Sequence, residues 1–246
     1  MRMTFLGTGS GLPSAERGPS GLLAQVGAAA LLFDSGSGTI ARLLAAGVTP
    51  QDLDYLYYTH LHSDHTADLI PLLQAMDLAG RTRDLHLTAP SAFWPFLDGL
   101  LDLQPWARPQ TFALRRHPAE AAPCGGPGWT VRTAPTGHMP GSLAYRLEAA
   151  GRVAVISGDA APVPELTALA RGADLLVLEC SFPDELGKPD HLTPSQAAEI
   201  AVSAGAGHLV LTHFYPSCRA EVARAQAGRL FRGPLTLAHD GLSLTV

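Results

Sequence analysis

The sequence predicts an α/β fold, an αββα sandwich in which two mixed β-sheets pack face to face with helices outside, one sheet per half of the chain. Three observations carry this prediction. Strand-like and helix-like segments alternate through the second half, and several β-type runs are joined by connections short enough for hairpins. His and Asp residues also recur at or just past predicted strand ends, where layered α/β folds collect ligand-binding groups. With 246 residues, 46% of them hydrophobic and 16% charged, the chain can bury a large core and is expected to form one domain, 1–246.

Residues 1–6 form a short β-type run ending in Gly7-Thr8-Gly9-Ser10-Gly11, and 12–20, rich in Pro, Ser and Gly, form a loop. The Gly-x-Gly-x-Gly spacing is not the dinucleotide fingerprint and no helical pattern follows it, so a mobile loop beside a site is expected instead. Residues 22–26 and 29–33 read as a hairpin. Asp34 follows at the strand end with two readings open, a turn or N-cap residue or a partner for a metal-bound His. A helix over 40–46 comes next, which Gly47 can end in a left-handed conformation. Thr49-Pro50-Gln51-Asp52 is a helix-start signal, and it delivers the chain into an apolar, β-prone run over 53–58.

That run ends in Thr59-His60-Leu61-His62-Ser63-Asp64-His65, which packs three imidazoles and a carboxylate into six positions. One His is ordinary, whereas this density is hard to explain as packing. Imidazole and carboxylate together suit zinc and similar first-row metals. His60 and His62 can point one way while Asp64 and His65, further round, point another, which implies two sub-sites.

Apolar residues at helical spacing (Leu69, Leu72, Leu73, Met76) place a helix over 67–79, so the cluster sits at a strand-to-helix junction. A strand within 81–90 and a helix over 91–103 follow, the latter with Phe93, Trp94 and Phe96 as core aromatics. Residues 105–127 are the least regular part of the chain, and His117, after Arg115-Arg116, is expected to be solvated. From Trp129 the pattern is regular: strands over 129–133, 143–148 and 152–157, a helix over 163–170, a strand over 175–180, a helix over 194–203 and a strand over 208–212. Thr193, Pro194 and Gln196 make a capping box for the later helix.

His138, Asp159 and His213 all stand at strand ends in this reading. With the cluster they make seven donors, His60, His62, Asp64, His65, His138, Asp159 and His213, enough for two divalent metal ions bridged by Asp159, with a position open for water at each. Zn²⁺ is the first expectation and Mn²⁺ or Fe²⁺ the alternatives.

Composition excludes other classes. No apolar run approaches the roughly 20 residues of a membrane span, and no secretory signal pattern opens the sequence, so a cytoplasmic protein with no membrane partner is expected. Cys124, Cys180 and Cys218 lack metal-type spacing and read as reduced thiols. A net charge of −5 offers no long-range attraction for phosphate backbones.

His60-x-His62-x-Asp64-His65, Thr136-Gly137-His138, Ser157-Gly158-Asp159 and Leu211-Thr212-His213-Phe214 occur in the order and contexts of the metallo-β-lactamase fold, and the chain resembles the ribonuclease Z subgroup of that superfamily. The similar stretches include the Gly7 to Pro13 loop, Phe33 through Thr39, His191 through Ile200 and the closing His239-Asp240-Gly241. His213 with Phe214 after it, and His191-Leu192-Thr193 ahead of a helix, point to the subgroup. The resemblance implies a metal-dependent hydrolase in which Asp64 and Asp159 hold the ions and one or the other accepts the water's proton. It further implies that His191 assists the leaving group, its pKa tuned by the adjacent Asp190, and that the protein is a homodimer.

Two departures matter. Only a hairpin's length separates His138 from Asp159, so the long arm with which ribonuclease Z grips tRNA is absent, and Phe214-Tyr215-Pro216-Ser217-Cys218 lacks the basic residue of the family's Phe-Ser-Pro-Arg-Tyr. A phosphodiesterase acting on a small-molecule ester substrate, a phosphodiester, is therefore the expected activity. The alternatives are a tRNA 3′-end processing endonuclease and a lactone or carboxylic ester hydrolase.

Overall fold

The computed structural model describes residues 1–12, 14–121 and 124–246. Pro13 of the opening loop, and Ala122 and Pro123 within the irregular stretch, lie outside them. Six strands of the first sheet come in sequence: β1 (Arg2–Gly7), β2 (Gly21–Val26), β3 (Ala29–Phe33), β4 (Tyr55–Tyr57), β5 (Leu85–Ala89) and β6 (Leu114–Pro118). The second sheet contains β7 (Cys124–Gly126), β8 (Trp129–Pro135), β9 (Leu143–Ala149), β10 (Arg152–Ile156), β11 (Leu175–Glu179), β12 (Leu209–Thr212) and β13 (Leu235–Leu237). A final strand, β14 (Ser243–Thr245), returns to pair antiparallel with β1. The expectation of one sheet per half of the chain thus holds up to β14, which covers the edge that β1 would otherwise expose.

The helices are α1 (Thr39–Ala45), α2 (Ser63–Thr66), α3 (Leu69–Leu78), α4 (Phe93–Leu103), α5 (Pro164–Leu169), α6 (Pro194–Ala204) and α7 (Ala220–Leu230). Local chemistry sets their ends. Thr193 and Gln196 form the reciprocal cap of α6, whose C-terminus is closed by left-handed Gly205, φ 63°. Gly47 takes the same conformation, φ 75°, just beyond α1. The signal at Thr49-Pro50 makes a single 3₁₀ turn, Pro50–Asp52, because Leu53 is already extended.

Packing occurs in four layers. One apolar cluster lies between the first sheet and its helices, with Leu56, Leu72, Met76, Phe93 and Leu97 buried in it, and a second joins the other sheet to α5, α6 and α7. Between the sheets lies a third, in which Phe33 stacks on Tyr57 at 4.7 Å and Tyr57 meets Tyr145 at 5.5 Å. Two hydrogen bonds stitch the sheets together beside the His cluster: Tyr145 Oη donates to the Tyr58 carbonyl at 2.7 Å and the Leu143 amide to the Thr59 carbonyl at 3.0 Å.

Strand direction locates the site. Strands β3 to β6 run parallel, and so do β10 to β13. Because β9 is antiparallel to both β8 and β10, β8 runs with β10. The segments that follow β3, β4, β8, β10, β11 and β12 therefore emerge within each sheet at a common end, where crevices form.

The irregular stretch contains two edge strands, β6 and β7, hidden in the sequence by Pro and Gly, which sheet edges tolerate. His117 on β6 is half-buried and hydrogen-bonded to His86 at 2.9 Å, so it is not the solvated residue expected. No helix of the described residues is long and apolar enough to cross a membrane.

Replacing Tyr145 by Phe leaves the buried Tyr58 carbonyl without its partner and is expected to lower the unfolding free energy by about 1–3 kcal/mol. Chemical denaturation checks this; an unchanged midpoint and slope would show that the inter-sheet bond contributes nothing.

Candidate metal centre

All seven predicted donors meet at this end. His60 and His62 follow β4, His62 in extended backbone, and α2 then turns Asp64 and His65 toward the same point. His138 follows β8, Asp159 follows β10 and His213 follows β12. The donors form two groups, each with its ligand atoms within 4.8 Å of one another: His60, His62, His138 and Asp159, and Asp64, His65 and His213.

Asp159 joins the groups. One carboxylate oxygen, Oδ2, faces His60 Nε2 at 3.8 Å and His138 Nε2 at 3.7 Å, while Oδ1 lies 3.2 Å from Nε2 of both His65 and His213. Oδ1 nevertheless lacks the alignment of a hydrogen bond to either ring, and it and His60 Nε2 are buried without a hydrogen-bond partner. Ring nitrogens face one another at 3.2 Å in two pairs, His65 with His213 and His62 with His138. Lone pairs aimed at shared points and orphaned buried polar atoms are what a cation site requires. The residues fit divalent metal, with Asp159 placed between the two groups of donors.

The opposite ring nitrogens are held in place. His65 Nδ1 donates to Asp34 Oδ2 at 2.7 Å, so Asp34 is a hydrogen-bond partner of a donor imidazole rather than the cap of α1. Thr59 Oγ1 donates to the same oxygen at 2.9 Å and accepts from His60 Nδ1 at 2.9 Å. One carboxylate thereby orients two imidazoles, one directly and one through a hydroxyl. His138 Nδ1 donates to the Asp190 carbonyl at 2.9 Å and His213 Nδ1 to Ser181 Oγ at 3.0 Å. These bonds select the tautomers that leave the Nε2 lone pairs of His60, His65, His138 and His213 turned inward. Asp34 and His213 hold left-handed backbone at φ 56° and 58°, a conformation non-glycine residues keep only where their surroundings impose it.

The electrostatics follow from this crowding. Burial, then the neighbouring His65, pushes His60 well below the usual imidazole range, so its ring is neutral. Burial also disfavours charge on His65, but Asp159 and Asp34 outweigh it and hold its proton well above that range. Burial opposes the charge of Asp159 as well, and His213 and His65 overcome it, keeping the carboxylate ionised. A metal binding at His65 must displace that proton.

His191 stands at the rim, 9% exposed, its ring 4.7 Å from that of His138. Its Nδ1 bonds Glu179 Oε1 at 2.9 Å. Burial lowers its pKa, but the Glu179 hydrogen bond and charge prevail and lift it to about 9. The carboxylate bonded to His191 is thus Glu179; the charge of the adjacent Asp190 raises the His191 pKa further, and its carbonyl serves His138. Glu179 is fully buried at the end of β11 and also accepts from the Ala160 amide at 2.7 Å and from Ser181 Oγ. A charged residue ending the apolar run Leu175-Leu176-Val177-Leu178 was the available signal for it.

The glycine-rich loop is tied beside the site. Asp240 accepts from the Thr8 amide, the Thr8 hydroxyl and the Gly18 amide at 3.0, 2.8 and 2.7 Å, and the Arg17 guanidinium lies 4.5 Å over the Phe214 ring. A Cβ on Gly11 would meet the Asp64 carboxylate at 3.4 Å, so the loop reaches the metal-facing side chains.

Asp34→Ala removes the carboxylate that orients His60 and His65, and metal affinity is expected to fall about 10- to 100-fold. Competition with a chromogenic chelator measures this; unchanged affinity would mean that the rings are held without Asp34.

A family model described as the metallo-beta-lactamase superfamily matches residues 16–213. The chain is 31% identical to ribonuclease Z of Mycobacterium bovis BCG over 98% of this chain and 96% of that protein, and 35% identical to ribonuclease Z of Mycobacterium sp. strain KMS over 88% and 85%. Among solved structures, the metallo-beta-lactamase fold protein YhfI of Bacillus subtilis is similar with a TM-score of 0.88, 26% identity and coverage of 99% and 98%. The short form of human tRNase Z follows at a TM-score of 0.83, 25% identity and coverage of 100% and 99%. The chain therefore belongs to the metallo-beta-lactamase superfamily of hydrolases, in its ribonuclease Z-like subgroup.

Proposed function

We propose that this protein is a dinuclear metal-dependent phosphodiesterase of the ribonuclease Z type that hydrolyses RNA phosphodiesters. The observation that carries the chemistry is the bridging position of Asp159 between two donor groups, with His191 at their rim. Relatives named ribonuclease Z, similar over nearly the whole chain, and the similarity to a tRNase Z support RNA above the small phosphodiester expected from sequence.

Zn²⁺ is the ion that the imidazole-rich donor set favours, and two such ions would supply Lewis acidity and a water of lowered pKa. The chain's own residues do the rest. Asp34, Thr59, Ser181 and the Asp190 carbonyl keep the ligand rings fixed, so no reorganisation is needed as charge develops. Asp64, its Oδ2 3.3 Å from His213 Nε2, is the second carboxylate at the centre, and it is partly accessible where Asp159 is not. His191, with Nδ1 anchored on Glu179, holds a proton at Nε2 for the departing oxygen.

One observation favours small phosphodiesters as a second reading. Between His138 and Asp159 lies only the β9–β10 hairpin, turning at Ala150-Gly151, with nothing projecting to grip a large RNA. The Mycobacterium bovis alignment spans 271 positions against a chain of 246 residues, so that relative carries segments with no counterpart here.

Metal-reconstituted protein is expected to hydrolyse both bis(p-nitrophenyl) phosphate and a precursor tRNA, and His191→Ala to reduce both rates roughly a hundredfold or more with metal content unchanged. Turnover of the small ester alone would favour the second reading. No turnover of either by fully loaded protein would overturn the phosphodiesterase proposal, and a His191→Ala variant with full activity would remove His191 from the chemistry.

A further inference from the structure

Two large aromatic side chains at the mouth of the metal centre belong to none of the three apolar clusters: Phe182, three residues beyond Glu179, and Tyr215, two beyond His213. Phe214, next to Tyr215 in sequence, behaves differently, being buried in the core of the second sheet. The two outlying rings stack on each other with centroids 4.6 Å apart and planes inclined by 23°. Both are half-buried. Their remaining ring contacts are with imidazoles of the site: Phe182 to His191 at 5.6 Å, and Tyr215 to His191 at 6.2 Å and to His213 at 6.1 Å.

Their mounting is rigid. Ser181, whose hydroxyl bonds Glu179 and lies beside the Nδ1 atoms of His191 and His213, immediately precedes Phe182, and buried Pro183 follows it. The Tyr215 amide donates to the Ser181 carbonyl at 3.3 Å, and the Cys218 amide to the Tyr215 carbonyl at 2.8 Å. The segments that hold His191 and His213 therefore also fix the aromatic pair. Partly exposed, preorganised aromatic rings beside a phosphodiester-binding centre are suited to stacking on a planar π-system, and such stacking tolerates any base.

We propose that Phe182 and Tyr215 form a stacking platform for a nucleobase on the leaving-group side of the scissile phosphodiester, the side on which His191 stands. This rests on the phosphodiesterase reading and names the substrate class as nucleotidyl. It gives a chain without a gripping arm a way to hold a nucleic-acid end through one base rather than through a distant surface. The para-hydroxyl of Tyr215 is not what stacks, so the ring alone is needed.

The test is isothermal titration of metal-loaded protein with adenosine 5′-monophosphate and with ribose 5-phosphate, which share the anionic group but not the base. The wild-type protein is expected to bind the nucleotide roughly tenfold or more tightly than the sugar phosphate, the size of one base–aromatic stack. Tyr215→Ala and Phe182→Ala should bring the nucleotide toward the sugar phosphate, and Tyr215→Phe should retain the difference. Equal affinities in the wild-type protein would overturn the platform without recourse to any variant, as would a Tyr215→Ala variant that keeps the full preference for the nucleotide. Binding is read without turnover, so this result stands apart from the hydrolysis of bis(p-nitrophenyl) phosphate, on which the phosphodiesterase reading depends.

Discussion

A carboxylate buried among imidazoles governs this structure. Asp159 is 2% exposed, and its oxygens face His60 and His138 on one side and His65 and His213 on the other. An ionised carboxylate in a protein interior is stable only when opposite charge and directed donors compensate for lost hydration. The rings around Asp159 cannot all be cationic, since they repel one another and burial already drives His60 to the neutral form. Divalent ions shared between the carboxylate and neutral rings would resolve the conflict, and the donor set and orphaned atoms fit such ions.

The fold serves that constraint. Parallel runs in both sheets deliver donors from several strands to one crevice, and the inter-sheet hydrogen bonds from Tyr145 and Leu143 reach the backbone at Tyr58 and Thr59, directly before His60. Around the donors lies a shell of Asp34, Thr59, Ser181 and Glu179, each bonded to more than one partner, so ring orientation is set by a connected network. Left-handed backbone at Asp34 and His213 falls directly after β3 and β12, where each chain leaves its strand at the site.

Much of this was legible in the sequence because the information was local. Three imidazoles and a carboxylate within six positions need no tertiary model to be noticed, and His138, Asp159 and His213 announce themselves by ending β-type runs. Long, regular elements such as α3, α4 and α6 were equally plain from helical periodicity and capping. What escaped depends on spatial neighbours. Glu179 meets His191 across 11 intervening residues, so sequence adjacency pointed only to Asp190, whose effect on His191 is the smaller. The pairing of His117 with His86 follows from the register of β5 and β6, an edge strand that Pro118 disguised. α7 and the closing strands β13 and β14 lacked a strong pattern, because the only large apolar residues of α7 are Val222 and Leu230 and each strand has only three residues.

The most direct measurement is metal stoichiometry by mass spectrometry after Zn²⁺ loading and desalting, on the wild-type protein and on Asp159→Asn. Two ions per chain are expected in the wild-type protein and fewer than one in the variant, since the amide neither carries the charge nor offers a second oxygen to bridge. A wild-type protein that holds a single ion, or an Asp159→Asn variant that still retains two, would contradict the bridged dinuclear centre.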